Sequence, residues 1–339
     1  MEDNSTHKKN VMVTGGGGFL GKAIVKKLLK RNHNVISFSR NFYPQLEKMG
    51  VEQIQGDLIN KNAVTKAFEN IEVVFHVAAK AGMWGPFEDF FQANVIGTKN
   101  VIYACLKNDI KQLIYTSSPS VVSDKKEKAN INESAPYPKK YLTPYSETKA
   151  AAEMLIRKVS GKALKTIIIR PHLIWGPGDN HLVPRLIKRA PKLRRIGPGD
   201  CLMDTIYIEN AADVHVLASE KLDENHSLSG NIYFVSQDEP IAPWDMVDAV
   251  LGAAGLPPVK GHVSTKTAYI AGAVFEFAYK LFNFKTDPPI TRFAAIELGT
   301  SHWFNISKVK KDLGYYPKVS TKEGLKRLKR WFSSNGDKI

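Results

Sequence analysis

Residues 10–21 read NVMVTGGGGFLG, and the fold turns on this stretch. Val11, Met12 and Val13 make a short apolar run of the kind a buried strand carries, and Thr14 ends it. Gly15, Gly18 and Gly21 then fall at G-x-x-G-x-x-G spacing. Residues 22–30 follow with helical periodicity through Ala23, Ile24, Leu28 and Leu29. A strand, a glycine turn and a helix in that order form a dinucleotide-binding unit. The first glycine permits the tight turn, the second lets the backbone approach a pyrophosphate, and the third lets the helix pack closely on the strand. The helix N-terminus supplies free N–H groups to the phosphates. Gly15, Gly18, Phe19, Leu20 and Gly21 are therefore the expected cofactor contacts of the turn.

Outward from the turn, residues 34–40 (NVISFSR) read as a second strand. An NAD site usually places Asp or Glu at this strand end to bind the ribose 2′-hydroxyl. Here Ser39 and Arg40 stand there, with no acid until Glu47. A guanidinium pairs with a 2′-phosphate, which favours NADP(H) over NAD(H). Residues 51–55 form a third strand, followed by Gly56, Asp57 and Leu58. Asp57 is expected to accept from the adenine amino group, to cap the helix at 61–70, or both. Residues 73–79 (VVFHVAA) are nearly all apolar, as a parallel strand covered on both faces requires. Ala78 and Ala79 at its end are small enough for a cofactor to lie close by. His76, inside the apolar run, reads as a satisfied core histidine.

Residues 93–107 and 143–158 read as helices, 112–118 as a fifth strand ending in hydroxyls, and 165–169 as a sixth. The polar, charged, proline-containing residues 124–138 read as a surface loop. Short strands at 205–208 and 231–235 flank a helix at 211–222. This alternation predicts an α/β fold, a Rossmann-type doubly wound parallel sheet with a smaller, mostly helical C-terminal substrate lobe. The expected division is a dinucleotide-binding domain over 1–170, with 205–235 returning to it, and a substrate lobe over 171–204 and 236–339. Within the lobe, 243–254 reads as a helix with Pro243 in its first turn and Gly255 as its stop. Residues 268–284 (AYIAGAVFEFAYKLFNF) set Ile270, Val274, Phe277 and Leu281 on one helical face and pair Glu276 with Lys280. That stripe predicts a core helix first, and an apolar lid, an interfacial helix or a membrane anchor second. Its charges and short length argue against a span.

The length of 339 residues suits two lobes, and the 43% hydrophobic content excludes a disordered chain. Cys105 and Cys201 are the two cysteines, with no C-x-x-C. That excludes a disulfide framework and a cysteine-based zinc site, and fits a reducing compartment. No metal is expected. MEDNSTHKKN at the start is polar, so no signal peptide is visible and a cytoplasmic protein is expected, with a peripheral membrane contact left open. The net charge of +15 is densest at residues 185–195, RLIKRAPKLRR. No recognisable nucleic-acid fold accompanies that run, so it reads as a solvated basic face and no nucleic-acid partner is expected.

The chemistry lies in Tyr145-Ser-Glu-Thr-Lys149, a Y-x-x-x-K at the start of a helix. Residues four apart share a helical face, so phenol and ammonium reach one cleft. A tyrosine of ordinary pKa, about 10, exchanges its proton poorly at neutral pH, and a neighbouring ammonium lowers that value. Lys149 can also bind the cofactor ribose, and Ser118, at the end of the fifth strand, can hydrogen-bond the substrate oxygen.

With these motifs in place, the chain resembles the extended short-chain dehydrogenase/reductases. The likeness rests on TGGGGFLG (14–21), Asp57, NVIGT (94–98), YTSS (115–118), YSETK (145–149) and RPHLIWGPG (170–178), and covers nearly the whole chain. HVAAKAGMWG (76–85), TSSPSVV (116–122) and TSHWFNIS (300–307) are similar to the 3β-hydroxysteroid dehydrogenase branch. Within it they look most like 2-alkyl-3-oxoalkanoate reductases, with sterol-4α-carboxylate 3-dehydrogenases as close relatives. The resemblance implies Ser118, Tyr145 and Lys149 as the catalytic set, Ser120 second for the serine role, and Asn94 as a structural helper. It also implies a homodimer through the helices at 93–107 and 143–158, and cofactor contacts that include Leu58, Ala78, Ala79 and Pro171. No residue is available for an isomerase step.

Both leading substrates, a 2-alkyl-3-hydroxy acid and a 4-carboxy-3-hydroxysterol, are β-hydroxy acids with a large apolar body. The pocket they imply is apolar with a positive spot. Met83, Trp84, Trp175 and Phe87 are candidates for its wall, and His172, Lys80 and Arg185 for the carboxylate. A sugar-nucleotide epimerase or dehydratase and a non-catalytic nucleotide-binding protein remain as other classes. The intact Ser118, Tyr145 and Lys149 count against the second, and the apolar stretches against the first.

Overall fold

The apolar runs of the sequence pair side by side in the computed structural model, which describes residues 8–161, 163–284 and 286–335. Seven strands form one sheet: β1 (Asn10–Thr14), β2 (Asn34–Ser39), β3 (Glu52–Gln55), β4 (Val73–His76), β5 (Gln112–Thr116), β6 (Lys165–Pro171) and β7 (Asn231–Val235). Their order is β7-β6-β5-β4-β1-β2-β3, and every neighbouring pair is parallel. The chain steps outward from β1 to β3, then crosses back and steps outward again from β4 to β7. The reversal lies between β1 and β4, and a crevice at the carboxyl ends of those strands is where such a sheet takes its ligand.

Burial explains why the strands read as continuous apolar runs. Val11 and Val13 face one buried cluster together with Ile167 and Ile169, while Met12 and Ile168 face a second on the other side. Helix α1 (Phe19–Leu29) and helix α4 (Ile208–Glu224) cover the first face through Ile24, Val25 and Val214. Helix α2 (Gly97–Lys107) and helix α3 (Pro144–Val159) cover the second through Val101 and Ile156. A third cluster, around Trp244, Val247, Leu251, Ile196 and Ala295, is drawn from outside the sheet.

β4 and β5 stop short of the apolar runs that predict them. Beyond His76 the amides of Val77 and Ala78 donate to the Thr14 side chain, at 3.1 and 3.2 Å, and leave the ladder. The expected loop at 124–138 holds a strand, Lys128–Ile131, paired parallel with His302–Phe304. Tertiary pairing there overrides a polar composition. Ile206–Tyr207 pairs with Ile174–Trp175 and not with the main sheet, because α4 begins at the next residue.

The largest departure is helix α5 (Thr265–Leu281). Its stripe is not core: Ile270, Val274, Phe277 and Leu281 are 54, 61, 69 and 64% exposed. The helix packs instead by Ala268, Gly272 and Glu276. A Cβ at Gly272 would lie 2.7 Å from the backbone nitrogen of Arg292, so only glycine admits the next helix, α6 (Arg292–Gly299), at that distance. Glu276 accepts from the Arg292 backbone and guanidinium at 2.7 Å each, in place of the expected pairing with Lys280. Among the described residues no helix is long and apolar enough to cross a membrane.

Candidate active site

The glycine turn is shaped by close approach. Gly15 has a left-handed backbone, φ +71°, and a Cβ there would lie 3.0 Å from Ala78 Cα. A Cβ at Gly21 would lie 2.1 Å from the Gly15 carbonyl, so the third glycine lets α1 sit directly on the turn. Gly18 caps α1 without a side-chain hydrogen bond, which leaves the first helical N–H groups to an external acceptor. A cradle without side chains, beneath an uncapped helix N-terminus, fits a pyrophosphate.

Thr14 and His76 brace this turn from below. Thr98 donates to the Asn94 carbonyl at 2.6 Å, so it accepts from His76 Nε2–H at 2.9 Å. His76 Nδ1 then accepts from the Thr14 hydroxyl at 2.8 Å. Burial, and the charge of Lys149 after it, push the imidazole down to about 3, so it stays neutral. His76 is a satisfied core histidine.

At the far side of the turn the Gly56 amide donates to the Ser39 carbonyl at 3.0 Å, and Arg40 is exposed just beyond. Asp57 does not cap the following helix. Its carboxylate accepts from Ile59 N at 3.1 Å in a local turn, and Asn60 caps Lys61–Ala67. The Leu58 carbonyl is held by Asn100 at 2.8 Å. Tyr43, unremarked in the sequence, lies so close over Gly17 that a Cβ there would be 2.1 Å from its ring.

Asn94 sits in a π-helical turn, Phe91–Ile96, that precedes α2. Its amide accepts from Lys80 N at 2.8 Å, and donates to Lys80 O and Thr148 Oγ1 at 3.1 Å each. The loop leaving β4 is thereby tied to α3.

Thr143 caps α3 by accepting from Ser146 N at 3.1 Å, which starts the helix just before Tyr145. Tyr145 and Ser118 come together here, close enough for the serine to act on the phenol's proton affinity. Burial holds the phenol above its ordinary value, with Ser118 pulling it back. Lys149, one turn on, is 2% exposed, donates to the Thr116 carbonyl at 2.5 Å and lies 4.2 Å from the Tyr115 ring centroid. Burial lowers its ammonium to about 7, against the pull of Glu153. The expected lowering of the tyrosine by the ammonium is not what this geometry gives, because desolvation dominates both groups. Ser118 also accepts from Ser120 N at 3.2 Å, and the two hydroxyls are 3.0 Å apart.

A third turn of α3 brings in Glu153, fully buried. It accepts from Tyr137 at 2.6 Å, from Arg170 Nη2 at 2.5 Å and Nε at 3.1 Å, and from the Ser117 hydroxyl. The signal was its position, one further i+4 step beyond Tyr145 and Lys149.

The candidate substrate residues are less well gathered. Lys80 is paired with Asp89 at 2.7 Å and Arg185 with Asp287 at 3.2 Å, so each cation already has a carboxylate. His172 is buried against His302 and Phe304, with ring centroids at 5.0 and 5.3 Å. Burial and His302 hold it well below the usual range, so it offers a carboxylate no charge. Its neighbour His302 lies 3.2 Å from Glu297. Trp175 is not a pocket wall: it is wholly buried, edge-on to Tyr207, and donates to Thr205 at 3.2 Å. Pro171, also buried, ends β6. Met83 and Trp84 are half-buried, and Trp84 meets Tyr279 of α5 edge-on at 6.5 Å. Phe87 is exposed and stacks on Phe91.

Comparison with known proteins follows the same lines. The sequence model of the 3-beta hydroxysteroid dehydrogenase/isomerase family matches residues 12–263. The 2-alkyl-3-oxoalkanoate reductase of Stenotrophomonas maltophilia is 45% identical, over 94% of this chain and 98% of that one. A mouse (Mus musculus) sterol-4-alpha-carboxylate 3-dehydrogenase, decarboxylating, is 33% identical, over 96% and 91%. Among solved structures, UDP-glucuronic acid 4-epimerase from Bacillus cereus in complex with NAD superposes with a TM-score of 0.74 at 22% identity, over 96% and 99%, a likeness of fold.

Proposed function

The chain belongs to the 3-beta hydroxysteroid dehydrogenase/isomerase family, and on that premise we propose that it works as a 2-alkyl-3-oxoalkanoate reductase. It is a nucleotide-dependent oxidoreductase of the extended short-chain type, interconverting a ketone and a secondary alcohol on an apolar β-keto or β-hydroxy acid. The observation that carries this reading is the 45% identity to that reductase over nearly the full length of both chains, with Ser118 beside Tyr145 and Lys149 one helical turn on. A sterol 4-carboxylate substrate is the second reading, favoured by the mouse relative.

We assign the residues these roles. The nicotinamide cofactor supplies or accepts the hydride when bound. The glycine turn and the N-terminus of α1 hold its phosphates, and Arg40 selects the 2′-phosphate, which makes it NADP(H). Ser118 holds the substrate oxygen. Tyr145, kept as a neutral phenol by its surroundings, donates the proton to that oxygen in reduction and takes it back in oxidation. Lys149, near neutrality in its affinity for a proton, replenishes the phenol. Residues 171–204 and 236–339 form the substrate lobe, supported by the third buried cluster, which draws on those ranges. A homodimer through α2 and α3 is supported by exposed Tyr103, Leu106 and Met154 on those helices.

The test is NADPH oxidation against a 2-alkyl-3-keto acid, its methyl ester, a 3-ketosteroid, a 3-keto-4-carboxysterol and a nucleotide sugar. The keto acid is expected to lead, and to exceed its ester in kcat/KM. Equal turnover of the ester or of the neutral steroid overturns the acid reading.

A further inference from the structure

His172, Glu297 and His302 converge from separate segments. His172 is the first residue past β6, Glu297 lies on α6, and His302 opens the strand His302–Phe304. One atom able to ligate a metal, an imidazole nitrogen or a carboxylate oxygen, comes from each, and all three lie within 4.8 Å of one another. The histidines are 6 and 4% exposed, and the Glu297 side chain 21%. The backbone anchors both histidines. The His172 amide donates to the Val235 carbonyl at 3.2 Å, and the His302 amide to the Leu202 carbonyl at 2.8 Å.

Hydrogen bonding leaves one nitrogen of each ring bare. His302 Nδ1 meets the Thr300 carbonyl at 3.0 Å, and a carbonyl only accepts, so the ring proton sits on Nδ1. In the neutral ring Nε2 is then a lone pair. It is buried without a hydrogen-bond partner, 3.2 Å from Glu297 Oε2, which is an acceptor too. His172 Nδ1 is likewise buried and unpartnered. Such a cluster, largely shut off from water, is costly until a cation stands among its members. A proton on His302 Nε2 would answer Glu297 and leave His172 Nδ1 bare. One metal ion answers all three.

The donor set selects the ion. Imidazole suits zinc and its transition-metal neighbours, whereas magnesium and calcium take oxygen ligands. Zinc holds nitrogen and carboxylate ligands at about 2.0–2.2 Å in a tetrahedron whose edges are then about 3.3 Å, and the 3.2 Å between His302 and Glu297 matches such an edge. His302 also has the outer partner that zinc-bound imidazoles use, a ring N–H given to a backbone carbonyl. The surround is apolar: Phe304 meets His172 edge-on at 5.3 Å and stacks on Phe234 at 4.4 Å. We propose that His172, Glu297 and His302 bind one divalent ion of the zinc type, which clamps the end of β6 to α6 and to the strand His302–Phe304. No spacing motif announces the site, because His172 is far along the chain from the other two. Its binding of metal does not depend on the reductase reading.

Zinc uptake by the untagged full-length protein, stripped with a chelator and dialysed, tests the site without reference to activity. One ion per chain is expected at micromolar free zinc, with a melting temperature that rises as the site fills. Cobalt in place of zinc should give the intense visible bands of a four-coordinate ion. Glu297→Gln changes a partly exposed side chain without changing its size. It should weaken zinc by about 100-fold or more and abolish the visible bands. His302→Gln should do the same, and if that variant fails to fold the Glu297 variant decides. Wild-type protein that takes up no zinc overturns the proposal. A melting temperature that then falls in metal-free Glu297→Gln gives the cluster to a simple His302–Glu297 ion pair. Zinc held with equal affinity by wild type and both variants is an adventitious ion only, and overturns the proposal equally.

Discussion

Helices α3 and α5 depart from ordinary burial in opposite directions. α3 takes a lysine and a glutamate out of water, with Lys149 and Glu153 at 2% and 0% exposure. α5 leaves five large apolar side chains in it, Ile270, Val274, Phe275, Phe277 and Leu281. On α3 each buried charge has partners: the Thr116 carbonyl for Lys149, and Arg170, Tyr137 and Ser117 for Glu153. On α5 the small residues make the closest contact, while the stripe of Ile270, Val274, Phe277 and Leu281 faces outward. The difference teaches that the face with the larger side chains is not necessarily the packed one, and that the charged face of a helix becomes interior when the partners lie within reach.

The sharpest break is Tyr145→Phe. It should lower kcat by about 10²- to 10⁴-fold, the usual worth of a positioned proton donor, while cofactor titration stays near wild type. Retention of more than a few per cent of activity would move the proton donor elsewhere. Next in size is Glu153→Ala, which leaves the Arg170 guanidinium buried and unpaired. The expected loss is roughly 3–5 kcal/mol of stability, read by denaturant unfolding. A loss under about 1 kcal/mol would mean that water replaces the carboxylate.

Arg40→Ala should weaken NADPH by about 1.5–3 kcal/mol and NADH hardly at all. Equal wild-type affinity for the two cofactors removes the basis for that preference.

Lys149 gives a pH test of the buried helix. Its folded value, about 7, lies below the unfolded one, so between the two the unfolded chain binds the extra proton. Stability from this group therefore rises with pH across that window and is lowest at and below its bottom. Wild type should gain more melting temperature between pH 7 and 9 than Lys149→Met, measured without cofactor. Identical gains would show that the ammonium is not strained by burial. Smallest of all, Val274→Thr on α5 should change stability by no more than about 0.5 kcal/mol. A core-sized loss there would mean that something covers the stripe even in isolated protein.

These two helices also mark how far the sequence could be read. The glycine turn and Y-x-x-x-K were legible because their chemistry is local: strand, turn and helix follow within about twenty residues, and phenol and ammonium share one face. The Glu153–Arg170 pair was not, because it joins a helix to a strand and its partners on Ser117 and Tyr137 come from two further segments. On α5 the period was legible and the packed side was not. Hydrophobic spacing reports which residues share a face, whereas Gly272 against Arg292 decides which face is close-packed. Trp175 was expected as a wall because it is large and aromatic. Its place under Tyr207 depends on the Ile206–Tyr207 crossing, which no local pattern announces.

The pairing of Lys128–Ile131 with His302–Phe304 has a consequence for how the chain is made. During synthesis the first of these strands emerges long before its partner exists. The first five strands of the sheet can by then be assembling from the amino-terminal end. The pairing closes a very long stretch of chain, a connection that becomes affordable only once the intervening parts are compact. It acts as a clasp fastened last, so a ribosome stalled before residue 302 holds a nascent protein whose cofactor turn can form but whose seam along this edge is still open.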